Sequence, residues 1–267
     1  MLCLSRRLPA DPRVFGTAKA IACDLDDPAS YTAHVEEFKP ECCVHLAWSG
    51  LPDYSLANCR AGLSAGLGLY EALGRVGCRK IFTSGTCWEY GKLTGAVVET
   101  DHATGLGLFP AFKAALQITG QSICALHGSD LVWGRLFFVY GPGQRPNSLI
   151  PSCYRSFKSG EPPRISSPLA VNDFVHVKDV CLGIRALIEG DAPGGIYNIG
   201  SGSPVAVWEV VNHVAEAMGL PIVYRDMAPN APGLWADVSR IGKFGWRAEM
   251  PLREGIAQTI AAMESMQ

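Results

Sequence analysis

The chain has 267 residues, 48% of them hydrophobic and 18% charged, which is enough for one large domain or two small ones and argues against disorder. Lys plus Arg total 23 against 25 Asp plus Glu, a formal net charge of -2. That balance lacks the basic footprint of a nucleic-acid binder and the polybasic patch of a membrane-surface protein. The longest candidate for a membrane span, Leu131 to Tyr140, is interrupted by Gly134 and Arg135. The opening stretch, Met1 to Arg13, does not read as a signal peptide. The ten cysteines form no Cys-x-x-Cys pair, so they are expected to be small core residues in a reducing cytoplasm. No His/Asp/Glu spacing suggests a metal site.

In chain order, Leu2 to Ser5 and Ile21 to Cys23 read as strands. Asp27 and Pro28 give a helix start, cap followed by first-turn proline, with Tyr31, Val35 and Phe38 on one face. Cys42 to Ala47 is a continuous apolar run, as in a strand covered on both faces. Ala57 to Val76 is a predicted helix striped by Leu63, Leu67, Tyr70 and Leu73, whose several glycines indicate close packing. Lys80 to Ser84 is a strand, Phe112 to His127 a helix and Leu131 to Tyr140 a long strand. This rhythm predicts an α/β fold built on a doubly wound parallel sheet.

After Tyr140, the loop Gly141 to Pro146 leads to a helix from Ser148 to Lys158. Phe174 to Val177 is a strand feeding a helix over Lys178 to Glu189. Ile196 to Ile199 is a strand closed by Gly200-Ser201-Gly202. Val205 to Met218 and Leu252 to Met263 are amphipathic helices. The expected division is residues 1–145 as the nucleotide-binding domain, with 173–202 returning to it. Residues 146–172 and 203–267 form a smaller α/β lobe.

Several phrases resemble the extended short-chain dehydrogenase/reductase family, the NAD(P)-dependent nucleotide-sugar epimerases, dehydratases and reductases. They are Asp24-Leu25, Val44 to Trp48, Phe82 to Gly91, Gly134 to Gly143, Asp173 to Val180 and Gly195 to Gly202, with Trp235-Ala236-Asp237 completing the order. The resemblance implies a Rossmann-like fold and NAD or NADP as cofactor. It also implies a nucleotide-sugar substrate and pairing as a homodimer through two long helices. It assigns cofactor contacts to Ser5, Arg6, Asp24, Leu25, Leu46, Ala47, Trp48, Lys113, Phe137 and Val139. It makes Thr86 the hydroxyl that meets the reacting sugar oxygen and Lys113 the cofactor-ribose ligand. Phe138, Arg145 and Asn172 fall at substrate positions. A hydroxyl and guanidinium at Ser5-Arg6 suit a 2′-phosphate, so NADP is favoured over NAD.

The chain also departs from the family. Its first strand resembles the family's second, and no glycine-rich turn for the pyrophosphate precedes it. A missed upstream start and a truncated chain both account for this. Either predicts weakened dinucleotide binding and two unpaired strand edges in the sheet. The family's acid/base tyrosine, four residues before the lysine, is Phe109 here, and phenylalanine transfers no proton. Phe138 and Asn172 replace an asparagine and an arginine common in the family. A non-catalytic relative that keeps the fold and binds a dinucleotide or nucleotide sugar is therefore the alternative. His45 and His176, inside apolar strands, are expected to be core histidines.

Overall fold

The computed structural model describes residues 1–8, 16–48, 50–225, 227 and 232–265. They pack as two compact units. The first comprises Met1–Glu89, Gly105–Trp133 and Ala192–Ile196, and the second Tyr90–Thr104, Gly134–Asp191 and Tyr197–Gln267.

In the first unit β1 (Leu2–Ser5) pairs in parallel with β2 (Lys19–Ala22). Asp27 caps as expected, accepting from Ala29 N at 3.1 Å, but the proline behind it starts a 3-10 turn over Pro28–Ser30. The helix proper, α1 (Thr32–Phe38), follows. Tyr31 and Val35 are buried, whereas Phe38 is exposed. Phe38 ends the helix, and Lys39 behind it turns the chain away with φ 49°.

Next comes β3 (Cys42–His45), parallel to β4 (Lys80–Thr86). With β6 (Asp130–Leu136) and β9 (Gly195–Ile199) they form a four-stranded sheet in the order β3-β4-β6-β9. The expected two-sided burial of β3 is corrected here: Cys42, Val44 and Leu46 are exposed. Strand alternation puts these three on one face, while Cys43 on the other joins Leu69, Tyr70 and Leu73 in the core. Among the described residues β1 ladders only with β2 and β3 only with β4, so each keeps one open edge.

The helices α2 (Leu56–Arg75) and α3 (Leu108–Leu126) pack together. The glycines account for the closeness. A Cβ on Gly66 would lie 2.7 Å from Leu116, and one on Gly120 would run into the Tyr70 ring. α3 starts four residues before the expected Phe112. Pro110 falls in its first turn, where no helical partner awaits its missing N–H.

In the second unit the expected long strand Leu131 to Tyr140 is divided. β6 ends at Leu136, Phe137 N donates to Ile199 O at 3.1 Å, and β7 (Phe138–Tyr140) pairs with β8 (Val171–His176) instead. The break at Phe137 lets the chain change ladders. Three short strands went unforeseen: β5 (Gly95–Val97), β10 (Pro204–Ala206) and β11 (Gly233–Ala236). They join β8 in the order β10-β8-β11-β5. Because β10 takes Val205, the helix there, α6 (Val207–Ala217), starts two residues late. Its valines Val207, Val211 and Val214 are buried with Ile150 and Tyr154 of α4 (Leu149–Lys158) and Ile256 of α8 (Leu252–Ser265). α5 (Val177–Glu189) and the short α7 (Ser239–Gly242) complete the unit. All ten cysteines are free, six of them buried.

Candidate active site

A cavity of about 520 Å³ opens in the first unit at the C-terminal ends of β1 and β3, against α2. Its volume is that of a small-molecule site. Ser5, Arg6, Asp24 and Leu25 line one part of it, and Leu46, Ala47 and Trp48 another. All seven were singled out from the sequence as cofactor contacts, and they share one wall system. Gly62 lets Trp48 lie directly on α2, since a Cβ there would meet the indole at 2.6 Å.

Lys113, in the second turn of α3, is almost completely buried. Its Nζ donates to Ser84 O at 2.8 Å and sits 4.2 Å from the Trp48 ring centroid. Burial pulls its pKa down to about 8, and the Glu89 carboxylate partly offsets that. An ammonium has three donors, so this group keeps hydrogen-bonding capacity beyond Ser84. His45 lines the cavity too. It is buried, as expected of a core histidine, with its ring edge-on to Tyr70. Burial and the Lys113 charge push its pKa down to about 3, so it is neutral at physiological pH.

Thr86 ends β4, half-buried. Its N donates to Glu89 Oε1 at 2.8 Å, and its Oγ1 accepts from Trp88 N at 3.3 Å. Glu89 is also held by Trp133 Nε1, at 3.0 Å to Oε2. Phe109 stands one helical turn before Lys113, inside an aromatic cluster. Ring centroids lie 4.8 Å away for Tyr54, 5.6 Å for Trp48 and 6.0 Å for Trp88.

The remaining expected site residues belong to the second unit. Phe137 is buried with its ring tilted against Tyr90, and Val139 sits opposite Val175 in the β7–β8 ladder. Phe138 packs on Phe174 at 5.8 Å. Asn172 lies in β8 between Val205 and Leu234. Arg145 is exposed on the loop after β7. His176 caps α5, its Nδ1 accepting from Lys178 N at 3.3 Å, and its Nε2 has no partner among the described residues.

Sequence reasoning passed over Tyr54, Trp88 and Glu89. The last two lie inside the phrase Phe82 to Gly91 and were legible as part of it. Tyr54 sits in the loop Leu51 to Ser55, where no periodicity points to it.

The model of the NAD dependent epimerase/dehydratase family matches residues 2–200. The chain belongs to that family. Among curated epimerase/dehydratase relatives, the dTDP-glucose 4,6-dehydratase of Actinoplanes sp. is 29% identical over 178 residues, 62% of this chain and 56% of that protein. The chain thus spans little more than half of that relative's length. A probable UDP-glucuronate 4-epimerase of Rhizobium meliloti is 25% identical over 275 residues, covering 91% of this chain and 80% of that protein. Among solved structures, MoeE5 in complex with UDP-glucuronic acid and NAD is 27% identical with a TM-score of 0.84. That likeness covers 100% of this epimerase/dehydratase chain and 91% of MoeE5. The α/β fold read from the sequence is thereby shown to be the Rossmann-type fold of these enzymes.

Proposed function

We propose that the chain is an NAD(P)-linked epimerase, dehydratase or reductase acting on a nucleotide-activated sugar. One observation carries the reading: seven expected cofactor residues line a single cavity, with the Lys113 ammonium over its Trp48 wall. The lining also suits the cofactor chemically. Arg6 and Ser5 offer a cation and a hydroxyl to an adenosine ribose and its 2′-phosphate, which favours NADP, while Asp24 and Leu25 serve the adenine. Leu46 and Ala47 give the cofactor an apolar wall, and Phe137 and Val139 remain expected cofactor contacts from the second unit. Lys113 has donors to spare for ribose hydroxyls. The cofactor, when bound, supplies a hydride acceptor and donor for a sugar carbon. Thr86 hydrogen-bonds the reacting sugar oxygen, Arg145 pairs with the diphosphate, and Phe138 and Asn172 shape the sugar site.

The setting is a cytoplasmic one, supported by the free cysteines. No helix among the described residues is long and apolar enough to cross a membrane. A homodimer through α2 and α3 fits the exposed Ile118 and Leu126 on α3. The second reading, a binding protein without turnover, is favoured by Phe109.

Thermal-shift titrations with NADPH, NADH and UDP-glucuronic acid test the reading. Stabilisation by a dinucleotide together with a nucleotide sugar is expected. A shift with neither sinks both readings, and a shift with the nucleotide sugar alone leaves only the second.

A further inference from the structure

If the chain transforms a nucleotide sugar, a group other than Phe109 must move the hydroxyl proton. Three rings pack about Phe109, and those of Trp48 and Trp88 carry indole N–H groups that do not ionise near neutral pH. The third, Tyr54, carries a phenol. We propose that Tyr54, on the loop before α2, supplies the acid/base hydroxyl of this site in place of a tyrosine at position 109. The proposal rests on the nucleotide-sugar reading above and names the residue that reading lacks.

Three observations support it. The first is place, since the Tyr54 and Phe109 centroids are 4.8 Å apart, the rings tilted against each other. The second is fixation of the backbone on both sides of Tyr54. The Asp53 carboxylate accepts from Ser55 N at 2.9 Å and from Asn58 Nδ2 at 2.8 Å. Asp53 N donates to Gly50 O at 2.8 Å, and Cys59 Sγ donates to Tyr54 O at 3.6 Å. The loop is therefore tied to the first turns of α2, which preorganises the ring.

The third is availability. Tyr31 and Tyr70, the other tyrosines of this unit, are fully buried, and burial raises the pKa of both. The Tyr70 hydroxyl is committed to Thr83 Oγ1 at 2.9 Å. Tyr54 is half-buried, and its hydroxyl has no hydrogen-bond partner among the described residues.

In the forward step the deprotonated Tyr54 hydroxyl group would take up the sugar hydroxyl proton, and a bound NAD(P) would supply the acceptor for the hydride leaving the carbon that bears that hydroxyl. The carbinol becomes a carbonyl, and the phenol returns the proton when the hydride returns.

The test compares the parent, Tyr54→Phe, Phe109→Tyr and the double variant, with UDP-glucuronic acid as probe and UDP as control. Calorimetry should show UDP bound equally by parent and Tyr54→Phe, which also reports a folded variant. UDP-glucuronic acid should bind roughly 10-fold more weakly to Tyr54→Phe, for the loss of one hydrogen bond. With NADP present, turnover should fall about 10²–10⁴-fold in Tyr54→Phe and recover when Phe109→Tyr is added. Unchanged sugar binding and turnover in Tyr54→Phe would overturn the proposal. So would a parent that binds UDP-glucuronic acid yet stays inert until Phe109→Tyr is introduced, and that result would leave the nucleotide-sugar reading standing. A parent that binds neither UDP nor UDP-glucuronic acid removes that reading and the proposal with it.

Discussion

Among the charges that the two units bury, Lys113 in the first and Asp173 in the second are treated in opposite ways. In the second unit the Asp173 carboxylate is fully buried on β8. Its Oδ1 accepts from Ser201 N and Ser201 Oγ, both at 2.6 Å, and its Oδ2 from Gly202 N at 2.9 Å and Ala236 N at 3.0 Å. Four donors fill the acceptor sites of a carboxylate. Gly200 makes room for this, because a Cβ there would stand 2.5 Å from Oδ2. Burial still raises the Asp173 pKa, with these hydrogen bonds pulling the other way. In the first unit Lys113 is nearly as buried but spends one hydrogen bond, on Ser84 O, and rests its charge on an aromatic face. A saturated buried ion holds a structure together. An unsaturated one beside a cavity keeps its donors for a ligand, and the protein bears the desolvation.

The largest expected effect breaks the saturated side. Asp173→Ala leaves three backbone N–H groups and a hydroxyl without their acceptor, and should cost on the order of 3–5 kcal/mol. A large fall in Tm, with faster hydrogen exchange at Ser201, Gly202 and Ala236, would show it. Little change in either would mean that water replaces the carboxylate.

Lys113→Met should do the reverse. A pKa of about 8 against the ordinary 10.5 corresponds to a penalty on the order of 3 kcal/mol at neutral pH. After loss of the Ser84 bond, a gain of about 1–3 kcal/mol in stability is expected, together with loss of dinucleotide binding. The sign with pH follows from a folded pKa below the unfolded one. The penalty is present in full below about pH 8 and is relieved as pH rises from there towards 10.5. The Tm advantage of Lys113→Met over the parent should therefore shrink across that window. A constant advantage would mean that Lys113 does not titrate there.

Arg6→Ala sharpens the ligand side. It should weaken NADPH by roughly 1.5–3 kcal/mol while sparing NADH, as loss of one charge-assisted bond would. Paired titrations decide it, and equal losses for the two cofactors would remove Arg6 from the 2′-phosphate. Gly62→Ala should have the smallest effect on stability. Alanine gains up to about 1 kcal/mol in helix propensity, set against pushing Trp48 aside. Its signature should be a changed Trp48 fluorescence with a small fall in Tm, because the displaced indole costs more than the helix gains.

Much of this was legible in the sequence, for reasons that differ by element. Strong signals survived: the glycine-marked helix became α2, and the strand ends at Asp24 and Leu46 came to one cavity. The misreadings lie where tertiary pairing overrides local pattern. The apolar run at Cys42 to Ala47 looks covered on both faces, because periodicity cannot report which neighbours a face will meet. Leu131 to Tyr140 looks like one strand, because nothing in its composition marks the change of ladder partner at Phe137. In the site, the positions of Phe109 and Lys113 followed from the resemblance to the family, which places a tyrosine four residues before a lysine. Tyr54 did not, because it reaches Phe109 through a loop whose geometry rests on Asp53, Asn58 and Cys59.

The edges of β1 and β3 that no described strand covers bear on how the protein behaves in a tube. Each offers a row of backbone donors and acceptors, and β3 adds the exposed Cys42, Val44 and Leu46 beside its row. Such an edge is a template on which another chain can lay a strand. Concentrated samples should accordingly grow turbid with time, and Val44→Lys, which sets a charge beside the β3 edge, should keep them clear for longer.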